Sequence, residues 1–206
     1  MTVAGSGPSL PDVSRETTER LEIYETLLRK WNPRINLVSR STLPEIRTRH
    51  IADSLQLLPL AGQPARWSDL GSGGGMPGIV CAIAGAELMP ETRFTLVEAD
   101  IRKATFLRTV LRETGVRAEV IAERIERTTP LQADCLSARA LADLGELLTF
   151  ATLHLVPAGK ALFPKGATWE KEVEAARARW NFTAIPHRSM THPEAVILEI
   201  GDVSHV

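Results

Sequence analysis

A glycine-rich turn between a short strand and an apolar helix constrains this chain more than any other feature. Arg66–Leu70 has the pattern of a strand, residues 79–84 have that of a buried helix, and five of the eight residues from Gly71 to Gly78 are glycine. Glycine adopts backbone conformations that other residues avoid, and it lets a ligand approach the main chain. A glycine turn that leads into a helix also presents unpaired N–H groups. The stretch therefore predicts a site for a nucleotide-like or carboxylate-bearing ligand.

The spacing of the glycines separates the possible ligand classes. A dinucleotide fingerprint needs a third glycine where Met76 stands, and a phosphate loop needs a Lys that does not follow these glycines. The series Asp69-x-Gly71-x-Gly73-x-Gly75 instead resembles motif I of methyltransferases that use S-adenosylmethionine (SAM). The alternative is a glycine turn without a ligand, but five glycines lose much backbone entropy on folding.

Length and composition set broad limits. The chain has 206 residues, of which 44% are hydrophobic and 24% charged, as in ordinary soluble proteins built from one domain with an appendage. No apolar run reaches the length of a membrane span, and Met1–Pro11 lacks a signal pattern, so we expect a disordered lead-in and a cytoplasmic protein without membrane contact. Cys81 and Cys135 fit a reduced core. With a net charge of −1, contact with nucleic acid must come from local basic clusters.

The first 64 residues are predicted to form this lead-in and an N-terminal helical extension, and residues 65–206 the main domain. An apolar stripe predicts a helix over Arg15–Trp31 that ends at Asn32-Pro33, followed by a loop to Ser39. A second helix is predicted to begin at Ser41 or Thr42 and to continue toward Leu58.

From Arg66 onward, strand and helix patterns alternate, which predicts an α/β fold with a parallel sheet. We expect a seven-stranded, mostly parallel, Rossmann-like sheet with an antiparallel C-terminal strand. The last two strands have no helix between them and should form an antiparallel hairpin at one edge. The predicted strands cover 66–70, 93–97, 117–122, 133–138, 159–163, 182–185 and 195–200, and the main helices cover 101–114, 144–155 and 169–180.

Chemistry-bearing residues follow the strands at the edge where α/β sheets bind ligands. Glu98, 27 residues after Gly71, can accept the hydroxyls of a ribose, although Asp100 competes for that role and Glu98 could instead cap a turn. Ile125 and Glu126 follow the third strand, where an adenine would lie; a solvated surface charge is the alternative for Glu126. Arg139 is a lone charge among apolar residues after the fourth strand, where a charge is usually paired or functional. The alternative to a functional role is an ion pair with a carboxylate of a neighbouring loop.

Several motifs in order resemble the RsmG family (also called GidB) of bacterial methyltransferases. They cover roughly residues 27–166, and the glycine motif alone marks only the wider superfamily. The matching segments are Trp31-Asn32-x-x-x-Asn36-Leu37, Arg49-His50-Ile51-x-Asp53-Ser54, Asp69 to Gly78, Glu98 with Arg102-Lys103 and Phe106-Leu107, Ser137 to Ala140, and Lys165-Gly166. Val38 stands where the family often has Thr, and Met76 where it often has Leu or Phe.

The resemblance implies a class I SAM methyltransferase that places a methyl group on N7 of a guanosine in small-subunit ribosomal RNA. It also implies that SAM is bound by Gly71, Gly73, Met76, Glu98, Ile125, Glu126 and Arg139. Guanine N7 has a lone pair and no proton, so we expect no catalytic general base, and His50 is better read as structural or RNA-facing. We also expect no metal site. Catalysis then depends on positioning and electrostatics.

The expected partner is ribosomal RNA or the assembled small subunit, bound by a monomer. Local basic clusters would supply the phosphate contacts, although charged helix faces are usually only solvated. The candidates are Arg34, Arg49, His50, Arg102, Lys103 and Lys165. Three alternatives stay open: a small-molecule or protein substrate, a protein that binds RNA or SAM without catalysis, and a nicotinamide enzyme, which Met76 disfavours.

Overall fold

The computed structural model describes residues 10–206; residues 1–9 of the lead-in expected at Met1–Pro11 lie outside this range. The described chain forms one seven-stranded sheet in the order β3-β2-β1-β4-β5-β7-β6. The strands are β1 (Arg66–Leu70), β2 (Arg93–Val97), β3 (Glu119–Ile121), β4 (Ala133–Ser137), β5 (Leu155–Lys165), β6 (Trp180–Arg188) and β7 (Val196–His205).

The helices lie on both faces of this sheet and in the N-terminal extension. They are α1 (Arg15–Ile35), α2 (Ala52–Leu55), α3 (Leu57–Ala61), α4 (Gly78–Leu88), α5 (Ile101–Thr114), α6 (Leu144–His154) and α7 (Trp169–Ala176). Arg40–Glu45 and Ile125–Arg127 are 3-10 helices, and Ile46–Ile51 is a π-helix. None of the helices in residues 10–206 combines the length and the apolar character that crossing a bilayer requires.

The strand directions confirm the predicted topology. β1 pairs in parallel with β2 and β4, and β7 runs antiparallel to both of its neighbours, β5 and β6. The chain builds β2 and β3 on one side of β1 and then crosses back to build β4 on the other side. The strand order therefore reverses at β1, and the carboxyl ends of β1 and β4 border a crevice. Strands β5, β6 and β7 are longer than predicted, and β3 is shorter. The last helix ends at Ala176, because Trp180 already begins β6.

The prediction that Asn32-Pro33 ends the first helix is wrong. Helix α1 continues through Pro33 to Ile35, and Asn36 ends it in the left-handed conformation with φ 49°. The Asn36 amide still donates to Asn32 O at 3.0 Å, and the Asn32 side chain accepts the Val38 amide at 2.8 Å. These bonds replace the turn that the Asn-Pro pair would otherwise start.

The second predicted helix is helical but broken into short pieces. Pro44 lies inside a 3-10 helix, the π-helix follows, and α2 and α3 come after it. Proline removes a backbone donor from the ladder, which favours tight or irregular turns over a continuous α-helix.

Two hydrophobic clusters fill the two faces of the sheet. The first unites the extension with the main domain: Tyr24 and Trp31 of α1 lie with ring centroids 6.5 and 5.7 Å from Phe106 of α5. The second packs α6 and α7 against the other face. Cys81 and Cys135 are buried and unbridged, and burial raises the pKa of both thiols.

Candidate functional site

The glycine loop, residues 71–78, connects β1 to α4. Gly71, Gly73 and Gly75 have φ values of +62°, +54° and +93°, which L-residues with a side chain rarely adopt. A Cβ at Gly75 would lie 2.8 Å from Cβ of Ile79, and a Cβ at Gly78 would lie 2.7 Å from Cβ of Asp69. The loop therefore needs glycine for its backbone conformation and, at Gly75 and Gly78, for space.

Asp69 lies beneath the glycine loop and does not line the cleft above it. The side chain is 1% exposed, and Oδ1 accepts the Ser137 hydroxyl at 2.7 Å. Ser137 in turn accepts the indole N–H of Trp67 at 3.0 Å. Burial raises the pKa of Asp69 to about 6. Asp69, although part of the motif, therefore joins β1 to β4 rather than lining the cleft.

The extension supports the glycine loop through Tyr24. The buried Tyr24 hydroxyl donates to the Gly74 carbonyl at 2.8 Å, across 50 residues of sequence. Burial raises the pKa of this phenol far above its usual value, so it stays protonated and can donate. Helix α1 therefore helps to fix the backbone of the loop.

A cleft of about 510 Å³ opens above the carboxyl ends of β1, β2 and β4. All seven residues that the sequence predicted to bind SAM line this cleft, although they come from four separate segments. Sequence reasoning did not assign several other lining residues to this cleft: Leu37, Arg124, Ala140, Leu141, Glu146 and Phe150. Leu37 and Ala140 lie within motif segments quoted above, whereas Glu146 and Phe150 lie on α6 and carry no motif.

Glu98 closes one side of the cleft. Its Oε2 accepts the Gly73 amide at 2.7 Å, and its Oε1 accepts the Asp100 amide at 2.8 Å. Asp100 is the N-cap of α5: it accepts the amides of Arg102 and Lys103, and the Arg102 guanidinium holds its pKa down to about 2. Glu98 thus borders the cleft, whereas Asp100 is engaged by the helix.

Ile125 and Glu126 lie in a one-turn 3-10 helix on the opposite side of the cleft. The fully buried ring of His154, from α6, lies with Nε2 3.2 Å from the Ile125 carbonyl oxygen. Burial lowers the pKa of His154, so the neutral ring donates from Nε2 to that oxygen. No sequence motif predicted that His154 would support this turn.

Arg139 reaches the cleft from the loop after β4 and contacts the extension. Its Nη1 donates to His50 Nδ1 at 3.1 Å and lies 3.8 Å from Asp53 Oδ2. Burial, and next the Arg139 charge, lower the pKa of His50, which keeps that ring neutral and able to accept. His50 does not line the cleft. The next residue, Ala140, has φ 52°, an uncommon conformation for alanine.

The cations predicted to contact RNA fall into two groups. Arg49, Arg102 and Lys165 each pair with a carboxylate, and Lys165 is also tied to the Ala142 carbonyl at 3.0 Å, with a side chain only 9% exposed. Lys103 lines the cleft, and Arg34 is exposed in the last turn of α1. Among the ion pairs of residues 10–206, neither Lys103 nor Arg34 takes part.

The cleft fits SAM in size and chemistry. Its volume lies in the range of small-molecule sites. One side carries the Glu98 carboxylate beside loop amides, which suits a ribose and an amino-acid moiety. The other side carries the apolar Ile125 and Phe150, which suit an adenine ring.

Comparisons with known proteins agree with this geometry. Residues 17–200 match the family model described as rRNA small subunit methyltransferase G. The ribosomal RNA small subunit methyltransferase G of Ruegeria pomeroyi is 55% identical, over 95% of this chain and 96% of that protein. The protein of the same name from Cereibacter sphaeroides is 53% identical, over 95% of both chains.

Solved structures agree on the fold. The crystal structure of a methyltransferase from Geobacter sulfurreducens superposes with a TM-score of 0.58, over 93% of this chain and 90% of that chain, at 17% identity. At this identity the likeness concerns the Rossmann-like methyltransferase fold alone.

Proposed function

Because this chain belongs to the rRNA small subunit methyltransferase G (GidB) family, it is a SAM-dependent methyltransferase, and we propose that it methylates N7 of a guanosine in small-subunit ribosomal RNA. The observation that carries the proposal is the single cleft that gathers Gly71, Glu98, Glu126 and Arg139 from four separate segments. We assign this cleft to the cofactor, with Gly73, Met76 and Ile125 as the remaining contacts.

Each side of the cleft would hold one part of the cofactor. Glu98 can exchange its bonds to main-chain amides for bonds to the ribose hydroxyls. The turn at Ile125 and Glu126 would enclose the adenine, and the glycine loop would face the methionine portion. Arg139 supplies a positive charge that can pair with a carboxylate or a phosphate.

The reaction needs little acid–base chemistry from the protein. When bound, SAM supplies a methyl group on a positively charged sulfur. Guanine N7 offers a lone pair and carries no proton, so no residue has to remove one. The protein's contribution is then to align the acceptor and to exclude water. The partly buried His50, whose pKa is lowered by burial and by the Arg139 charge, agrees with a supporting role rather than that of a base.

The acceptor would approach over the carboxyl edge of the sheet. Lys103 at the cleft and the exposed Arg34 are the cations best placed to meet phosphates, since both are free of ion pairs in the described chain. A guanine would have to leave its stack to reach the methyl group. We further propose a monomer that acts in the cytoplasm, where small subunits are assembled.

Methyl transfer to small subunits tests the proposal. Subunits from cells that lack this protein would be incubated with labelled SAM, and the product nucleosides analysed. We expect N7-methylguanosine with the wild type and its loss with Arg139→Ala or Gly71→Asp. Arg66→Ala is the matched control, because Arg66 lies at the start of β1, away from the cleft, with only a 3.9 Å ion pair to Asp134. Measurable SAM binding without transfer to subunits or free RNA would refute the ribosomal substrate.

A further inference from the structure

The hairpin loop, residues 189–195, joins β6 to β7 at the same edge of the sheet as the cleft. β7 is antiparallel to both β5 and β6, so β6 runs in the direction of β5, and its end at Arg188 points toward the carboxyl edge. The topology therefore places this loop at the carboxyl edge of the sheet, although β6 is the outermost strand and β5 and β7 lie between it and β4.

Two side chains of the N-terminal extension hold the hairpin loop. The Met190 amide donates to Gln56 Oε1 at 2.6 Å, and the Thr191 hydroxyl donates to Asp53 Oδ1. Gln56 is 1% exposed and also donates to Asp53 Oδ1 at 3.3 Å. The loop is thus fixed by contacts that span more than 130 residues.

Asp53 has a second partner on its other side. Its Oδ2 lies 3.8 Å from Nη1 of Arg139, whose side chain is 18% exposed and lines the cofactor cleft. One carboxylate therefore contacts both the hairpin loop and the arginine of the cleft. A shift of Asp53 would move the two together.

The outer surface of the hairpin loop is free to meet a partner. Met190, His192 and the acidic Glu194 of the loop are exposed, and so is Arg188, the last residue of β6, directly before the loop. Within residues 10–206, no carboxylate forms an ion pair with Arg188. An arginine with an unbranched apolar neighbour suits a nucleic-acid strand, through phosphate contact and packing against a base or sugar.

We propose that the hairpin loop docks the acceptor RNA beside the target guanosine, and that Asp53 is the positioning residue that holds this loop in register with Arg139. This inference rests on the proposed function. It assigns to Asp53 a role in aligning two substrates rather than in the chemical step.

The test separates acceptor binding from cofactor binding. Thr191→Val removes the bond between the loop and Asp53 without touching Arg139. We expect the KM for small subunits to rise about five- to tenfold, as for loss of a typical intramolecular hydrogen bond, while the Kd for SAM stays within about twofold. Thr183→Val is the matched control, because this exposed β6 threonine bonds only Asp202 at 3.3 Å, and it should change neither constant.

Asp53→Asn should raise both the KM for subunits and the Kd for SAM, because it weakens both contacts. In the Asp53→Asn background, Thr191→Val should add less than it does in the wild type, as expected for coupled residues. Equal KM values for Thr191→Val and Thr183→Val, with unchanged melting temperatures, would overturn the inference. Failure of the wild type itself to methylate subunits would instead refute the proposed function.

Discussion

The carboxylate of Glu98 accepts the amide of Gly73 at 2.7 Å and that of Asp100 at 2.8 Å, so one side chain joins the loops that follow β1 and β2. Both loops line the same side of the cleft. A ligand with paired hydroxyls can replace the amides as donors to the same two oxygens.

Glu98→Gln should weaken SAM binding by about tenfold, because an amide offers a single acceptor oxygen and loses the charge-assisted bonds. The measurement is the Kd for SAM by calorimetry. Asp100→Asn is the control: asparagine keeps the N-cap of α5, so the Kd should change less than twofold. A larger increase in the Kd for SAM for Asp100→Asn than for Glu98→Gln would assign the ribose contact to Asp100 instead of Glu98.

His154→Phe should weaken SAM binding about five- to tenfold, because the Ile125 carbonyl loses its buried donor and the turn loses its support. His154→Gln keeps an N–H group and should recover part of the affinity. At saturating SAM, kcat should stay within about twofold for both variants. Thr152→Ala, an exposed change on the same helix, serves as the control. An effect on kcat alone would contradict a supporting role.

Asp69 makes the stability of the protein depend on pH in a defined direction. Its pKa is about 6 in the folded protein because of burial, against 3.8 for an ordinary aspartate. The folded state therefore binds more protons than the unfolded chain between these values, and the free energy of unfolding falls as pH rises through this window. The stabilising contribution is fully present below about pH 4 and lost as pH passes 6.

Asp69→Asn removes this titration while keeping an oxygen that can accept the Ser137 hydroxyl. Relative to this variant, the wild type should lose up to about 3 kcal/mol of unfolding free energy between about pH 4 and pH 7. Urea unfolding of both proteins across this range measures the difference. A difference that stays constant with pH would contradict the raised pKa.

Local signals explain which elements could be predicted from the sequence. The bounds of β1, β2 and α5 agree with the predicted ones. For α5 the signals lie in adjacent residues: Asp100 caps the start, and Gly115 ends the helix with φ 67°. The end of α1 could not be predicted, because side-chain bonds of Asn32 and packing of Trp31 on Phe106 extend the helix past a strong local stop.

The site residues likewise fall into those that local sequence patterns predict and those that depend on contacts distant in sequence. Gly71, Glu98 and Arg139 each follow the end of a strand, so the βα pattern was enough to predict that they meet at the cleft. Residues that support the cleft indirectly, through a contact with another side chain, could not be predicted from the sequence, because the two partners are distant in sequence. The Thr191–Asp53 contact spans 138 residues and joins two segments that no periodicity relates.

The adjacent Arg102 and Lys103 provide the last prediction, because the structure gives these neighbouring cations different surroundings. Arg102 donates to Asp100 through its own amide at 2.8 Å and its guanidinium at 3.1 Å, so its charge is balanced locally. Lys103 lines the cleft without an ion pair in the described chain. Lys103→Ala should therefore lower the affinity for small-subunit RNA and reduce the slope of log affinity against log salt by about 1. Arg102→Ala should change that slope less. Filter binding over a salt series, without SAM, measures both, and equal slopes for the two variants would show that the ion pair with Asp100 does not keep Arg102 from the RNA.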